Sequence, residues 1–233
     1  VLGCSGSYPG PASACSGYLV RSGATSVWLD AGPGTLANLQ RHAPIAGIDA
    51  VVLTHEHPDH WTDLLGFYVA AKHHLRRDVV PVYAPESVRD RAYYRDAPLE
   101  WRIVTDGSVA DIGDLRLTFS RTDHPPETLA TRVDGAGRSL VYTADTGPAW
   151  EPSRLAREPD LLLCEATFLA AGPDVPHHLS ADVAGRFARE AGARRLVVTH
   201  LQPGTDRSAS RVEAEASYGR DVVVATENEE YRL

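Results

Sequence analysis

Methionine is absent from the 233 residues, cysteine occurs three times, and no apolar run approaches a membrane span. A bilayer crossing needs about 20 consecutive apolar residues, and no charged segment leading into a short apolar stretch and a cleavage site marks a signal peptide. The expectation is a cytoplasmic protein without membrane partners. Cys4, Cys15 and Cys164 are odd in number and lack Cys-x-x-Cys spacing, which argues against a disulfide framework and against a zinc ribbon and leaves them a packing role. Without methionine no initiator is visible, so N-terminal processing is not legible. A basic surplus is also missing. The 23 Lys and Arg stand against 31 Asp and Glu, a formal net charge of −8, whereas a protein that grips nucleic acid by neutralising phosphates usually carries excess positive charge. Arg76-Arg77 and Arg194-Arg195 are candidates for a local basic patch against that balance, though isolated Arg pairs are more often solvated surface. Internal repeats, low-complexity tracts and long linkers are lacking too, so residues 1–233 are read as one domain, a size that buries a substantial core.

What is present is a series of short apolar segments. Gly17 to Val20 and Ser26 to Leu29 read as a hairpin about Ser22-Gly23, Thr35 to His42 as a helix, and Ala50 to Leu53 as a strand buried on both faces. Trp61 to Arg77 follows with helical spacing. Further strands are expected at Val79 to Tyr83, Trp101 to Val104, Leu115 to Ser120, Thr128 to Val133 and Ser139 to Thr143, with a short helix after Pro85. The last third alternates: strand Leu161 to Cys164, helix Ala181 to Ala191, strand Leu196 to Thr199, helix Arg207 to Ser217, strand Val222 to Val224. Such alternation belongs to layered α/β folds.

The most informative segment is His55-Glu56-His57-Pro58-Asp59-His60, directly after a buried strand. Residues two apart in extended chain face the same way, so His55 and His57 can hold one cation together. Pro58 forces a turn that sends Asp59 and His60 elsewhere, toward a second. Three imidazoles and a carboxylate at a strand end have no packing role, which sets this segment apart from an ordinary polar loop.

On these residues the chain resembles the metallo-β-lactamase superfamily, whose signature is His-x-His-x-Asp-His after a buried strand. The resemblance implies an α/β fold of four layers, an αββα sandwich, with the metal site at one edge. Asp30-Ala31-Gly32 is similar to the family's early Asp-x-Gly element, in which the Asp supports the site from behind its ligands; locally it reads equally well as a turn with an N-capping Asp. The remaining ligands implied are His124, Asp145 and His200, each just beyond an apolar strand. His55, His57 and His124 would hold one ion, Asp59, His60 and His200 the other, with Asp145 spanning both. Imidazole and carboxylate without thiolate suit two divalent ions, zinc foremost, with manganese or iron also open. Such a pair can lower the pKa of a shared water until hydroxide exists at neutral pH.

Cys164-Glu165-Ala166-Thr167-Phe168 and His178-Leu179-Ser180-Ala181 resemble the phosphodiesterase branch, which includes ribonuclease Z and small cyclic-nucleotide phosphodiesterases. That resemblance implies catalytic roles for Asp59, for Glu165 and for His178, with Glu165 bonded to His178 and His178 protonating the leaving oxygen. Against it, His178 could merely neighbour a helix cap at Ser180, and His177 beside it leaves a shift of one residue open. His42, His73, His74 and His177 match no motif position and are read as surface or helix-face residues. The expected function is hydrolysis of a small phosphodiester such as a cyclic nucleotide. A ribonuclease Z-like tRNA 3′-endonuclease is the alternative, disfavoured by the acidic balance and by the lack of an inserted Gly-rich basic arm. A catalytically silent scaffold of the same fold is a third reading, and a homodimer is compatible with any of them.

Overall fold

The computed structural model describes residues 1–233 except Asp174. Strands β1 (Gly17–Ser22) and β2 (Thr25–Ala31) pair antiparallel as a hairpin with Ser22 opposite Thr25. Beside β2 lie β3 (Ala50–Val52), β4 (Val80–Ala84) and β5 (Leu99–Ile103), all parallel, giving a five-stranded sheet in the order β1-β2-β3-β4-β5. The second sheet starts as a meander, β6 (Val109–Ile112), β7 (Leu115–Arg121), β8 (Leu129–Gly135) and β9 (Arg138–Tyr142). It continues in parallel through β10 (Leu161–Glu165), β11 (Leu196–Thr199) and β12 (Val222–Val224).

Side-chain alternation sorts the strands' apolar residues into three separate cores. Between the sheets pack Val27 and Leu29 of β2, Ala50 and Val52 of β3, Leu161 and Leu163 of β10, and Val197 of β11. Their odd-phase neighbours face outward. Trp28 and Val51 meet α1 (Thr35–His42) and α2 (Leu64–Val69) through Leu39, Leu64 and Phe67. Leu162, Cys164, Leu196 and Val198 meet α4 (Ala181–Glu190) and α5 (Arg207–Tyr218) through Ala184, Phe187, Ala188 and Ala214. Three cores between four layers make the αββα sandwich that the resemblance implied. Because the period is two, a one-residue slip of β10 would exchange its whole inner and outer sets.

Two readings need correction. The helix expected from Trp61 to Arg77 is shorter and broken: α2 begins at Leu64, gives way after Val69 to a π-helical turn over Ala70–His74, and ends before Arg76, whose φ is 51°. Trp61 instead follows a 3₁₀ turn over Pro58–His60 and anchors it by donating from its indole Nε1 to the Glu56 carbonyl at 2.9 Å. The edge strand β6 was not expected. Val109 and Asp111 face solvent while Ala110 and Ile112 are buried, and four residues with one strong β-former on each face give little signal against the adjoining Gly-containing turns. The short helix after Pro85 is α3 (Glu86–Arg91).

Candidate metal centre

The loops that leave one end of the sheets converge between the layers. β3 runs through Leu53 and Thr54 into His55, the 3₁₀ turn carries Asp59 and His60 back inward, and His124 lies three residues past β7. Asp145 lies three residues past β9, Glu165 ends β10, and His200 directly follows β11. Carboxyl ends of parallel strands commonly host ligands because their loops open into a common crevice. Three side chains there sit on backbone in the left-handed region, Asp30 at φ 56°, Ala144 at 53° and His200 at 58°. Such positions cost about 1–3 kcal/mol each and persist where surrounding structure over-determines them.

Two groups of donor atoms form. In one, His55 Nε2 lies 3.1 Å from His57 Nδ1, His57 Nδ1 lies 3.2 Å from His124 Nε2, and Asp145 Oδ2 lies 3.6 Å from His55 Nε2 and 4.0 Å from that of His124. In the other, His60 Nε2 and His200 Nε2 are 3.3 Å apart. Asp59 Oδ2 is 3.5 Å from the first and 3.3 Å from the second, and Asp145 Oδ1 is 3.2 and 3.4 Å from them. Asp145 thus gives one oxygen to each group. All seven residues expected from the resemblance come together in the two sets expected for them, and a third, overlapping set joins Asp145 and His200 to His178. That His57 turns Nδ1 inward, while the other imidazoles turn Nε2, was not legible.

Hydrogen bonding on the outer side of the rings shows what these inner nitrogens are. Thr54 donates its hydroxyl to Asp30 Oδ2 at 2.9 Å, so its oxygen accepts from His55 Nδ1 at 3.1 Å. His60 Nδ1 donates to Asp30 Oδ2 at 2.8 Å, and His124 Nδ1 donates to the His177 carbonyl at 2.8 Å. Thr167 donates to Glu165 Oε2 at 2.6 Å and so accepts from His200 Nδ1 at 2.9 Å. In the first group, where burial keeps the rings neutral, the proton on Nδ1 of His55 and of His124 leaves each Nε2 as a bare lone pair. Lone pairs aimed at one another at these distances repel unless a cation sits among them. Asp145 Oδ1, buried, finds no hydrogen-bond partner among the described residues, an expensive omission for a carboxylate. The donor set therefore fits metal ions, and partners such as Asp30 and Thr167 are the kind that orient metal-binding imidazoles.

The groups differ electrostatically. Burial holds His55 well below the ordinary imidazole range, and burial likewise lowers His57 and His124, so the first group keeps neutral rings ready for a cation. Burial also acts against charge on His60 and His200, but Asp145 and Asp59 outweigh it and raise both. A cation entering the second group would displace a proton. Burial would raise the Asp145 carboxyl, yet His200, His60 and His55 hold it well below the usual carboxylate range.

His178 stands beside both groups, its ring 5.0 Å from that of His124 and 5.6 Å from that of His200. Its Nδ1 lies 3.2 and 3.3 Å from the two Glu165 oxygens. Glu165 is fully buried and also accepts from the Thr146 amide at 2.6 Å and the Leu179 amide at 3.1 Å. Burial alone would lower His178, but Glu165 prevails and pushes it up to about 9. His177 is exposed and contributes its carbonyl to His124, so the partner of Glu165 is His178. Ser180 occupies the N-cap of α4, but its hydroxyl goes to Asp182 rather than to the helix backbone. Asp30 caps no helix; α1 starts from Gly34. His42, His73 and His74 lie exposed, away from these groups. Thr54, Thr167 and the Ser7 amide, which donates to Asp59 Oδ2 at 2.9 Å, were missed as members of the site. Thr54 immediately precedes His55 and Thr167 is the last residue of the Glu-Ala-Thr element, a signal that was there to use; Ser7 is 52 residues from Asp59 in sequence.

A family model described as the Beta-lactamase superfamily domain matches residues 25–201, a span that holds every residue of both groups. The chain belongs to this superfamily. An uncharacterized protein of Mycobacterium leprae is 37% identical over 100% of this chain and 87% of its own length. YhfI of Bacillus subtilis, described as a probable metallo-hydrolase, is 30% identical over 97% of this chain and 95% of its own. The crystal structure of YhfI, a metallo-beta-lactamase fold protein, matches with a TM-score of 0.89 at 29% identity, over 97% of this chain and 95% of that one. A ribonuclease Z of Myxococcus xanthus is 27% identical over 96% and 94%. The metallo-β-lactamase fold is thereby shown for this chain.

Proposed function

We propose that the protein is a metal-dependent hydrolase of small phosphodiesters, with a cyclic nucleotide as the best-fitting substrate. The observation that carries this reading is the buried Glu165 holding His178 beside a divided Asp145. His55, His57 and His124 would hold one ion and Asp59, His60 and His200 the other, with Asp145 offering an oxygen to each group. The donors of each group lie mostly 3.1 to 3.6 Å apart, close enough for one cation to be shared among them. When bound, the two ions supply an activated water and neutralise charge that grows on the phosphoryl oxygens. His178, its Nδ1 occupied by Glu165, presents Nε2 as the proton donor to the departing oxygen. Glu165 keeps that imidazole protonated and oriented. Asp59, steadied by the Ser7 amide, keeps its carboxylate directed at His60 and His200, where it would help hold the second ion. The buried free thiols of Cys4, Cys15 and Cys164 suit a reducing, cytoplasmic setting.

Cleavage of precursor tRNA is the second reading, favoured by the ribonuclease Z relative. It would require several Lys or Arg contacts to backbone phosphates and a steep salt dependence, which a net charge of −8 does not favour. The test is a panel of cyclic mononucleotides and a precursor tRNA assayed side by side, with metal analysis of the same preparation. Two transition-metal ions per chain, hydrolysis of at least one cyclic nucleotide and weak tRNA cleavage at physiological salt are expected. Efficient 3′ cleavage of tRNA with no cyclic nucleotide turned over would establish the second reading instead. A fully active preparation free of metal would remove both.

A further inference from the structure

Beneath the second group of donors lies a polar floor that the proposed chemistry does not use. Asp30 Oδ2 receives three donors: His60 Nδ1 at 2.8 Å, Thr54 Oγ1 at 2.9 Å and the phenol of Tyr142 at 3.1 Å. Asp30 Oδ1 receives the Thr54 amide at 2.8 Å. Thr54 and Asp30 belong to the first sheet and its loops, whereas Tyr142 is the last residue of β9 in the second. Its ring is fully buried and packs at 4.9 Å against Tyr18, whose hydroxyl bonds Thr199 Oγ1 at 2.7 Å. Tyr18 comes from the first sheet and Thr199 from the second, so two phenols cross the interface in opposite directions. Only the Tyr142 phenol ends on the carboxylate that grips a metal-facing imidazole.

We infer that Tyr142 is a positioning residue for the second metal site, holding Asp30 across the sheet interface so that His60 Nε2 meets His200, Asp59 and Asp145. The inference rests on the metal-centre reading above. Without the phenol, the hydrogen bonds to the Asp30 side chain among the described residues come from Thr54 and His60, both on the first sheet's side, and none from the second sheet that carries Asp145 and His200. Those two residues and His60 would then no longer share one frame. Burial, with Asp30 and Tyr18 close by, raises the phenol well above its ordinary range, so it stays a donor throughout the range in which the protein would work. Tyr18 supplies the control, since its hydroxyl crosses the same interface without touching Asp30 or a ligand ring.

The experiment is competition between the metal-loaded protein and a chromophoric chelator, with Zn²⁺ and then Co²⁺, for wild type, Tyr142→Phe and Tyr18→Phe. Thermal melts of the metal-free forms run alongside. Tyr142→Phe should weaken one of the two ions by about 10–100-fold, the range measured when partners of metal-bound histidines are removed, and alter the Co²⁺ spectrum of that site. Tyr18→Phe should lower the metal-free melting temperature comparably while leaving both affinities at wild-type values. Unchanged affinity in Tyr142→Phe, equal weakening of both ions in both variants, or loss of the fold in Tyr142→Phe alone would each make the phenol a packing residue and overturn the inference. A wild-type protein that binds no metal would be a different failure, that of the metal-centre reading itself.

Discussion

Asp145 offers one oxygen to each group of imidazoles, so removing this one side chain affects both. Asp145→Ala should lose both ions and turnover together, whereas removing His124 should first release one ion. Elemental analysis of the two variants checks this, and normal turnover with both metals retained in Asp145→Ala would transfer the bridging role to another carboxylate. His178 poses a separate question, because proton donation and phosphate binding predict different kinetics. A positioned acid is worth about 10²–10⁴-fold in rate. His178→Ala should show that loss on a poor leaving group with metal content intact, and a much smaller one on a p-nitrophenyl ester, whose leaving group departs without help. Equal losses on both would make His178 a binding residue. The pH profile gives a second handle. His178, raised to about 9 by Glu165 against the effect of burial, is protonated below that value, so the acid form is lost and the rate falls as pH rises through it. In Glu165→Gln the charge that raises the group is gone, and the alkaline limb should move to lower pH by about 1–3 units. A limb that stays in place would separate Glu165 from proton transfer.

The elements around the site tolerate little, because backbone from different strands is packed against backbone. A Cβ at Gly32 would come within 2.1 Å of the Asp59 carbonyl and 2.7 Å of the Cys15 Cβ, and one at Gly6 within 2.4 Å of the His200 carbonyl. Gly32→Ala should therefore displace the 3₁₀ turn that carries Asp59 and His60. Overpacking of this kind costs about 1–3 kcal/mol, measurable by denaturant titration, and metal content should fall with it; a variant of wild-type stability and metal content would mean that the turn is pliable. The Asp-x-Gly pattern was readable in sequence, but its alternative as a helix cap was equally good locally. What decided between them was Thr54 and His60, 24 and 30 residues away, on the same carboxylate. The broken helix after Trp61 has a similar origin. Its apolar stripe is helical in period, but the residues ahead of Leu64 are held back by the turn that places His60, and a period alone carries no record of such a constraint.

At the scale of the whole molecule, the site ties the sheets together. His55, His57, Asp59 and His60 come from the first sheet's side, and His124, Asp145 and His200 from the second's. Ions that bind only the folded arrangement stabilise it by mass action, about 4 kcal/mol when free metal exceeds Kd a thousandfold. For a chain of this length that corresponds to about 8–16 °C in melting temperature. Chelation should lower the melting temperature by about 10 °C and zinc should restore it; no shift would show that the groups do not bridge the layers through metal. The His55 to His60 cluster after a buried strand was legible by itself, because strand ends are marked locally by where apolar runs stop, whereas His124, Asp145 and His200 were singled out only through the resemblance. The layered class was legible for the same reason: a two-residue period and its replacement by a helical one are written in neighbouring residues. The fourfold layering itself came only with a resemblance. Which ring nitrogen faces inward, which carboxylate oxygen goes to which group, and which phenol steadies Asp30 were decided by tertiary structure alone. Each depends on a partner brought across the sheet interface from far along the chain, and spacing along a sequence does not encode distance across a fold.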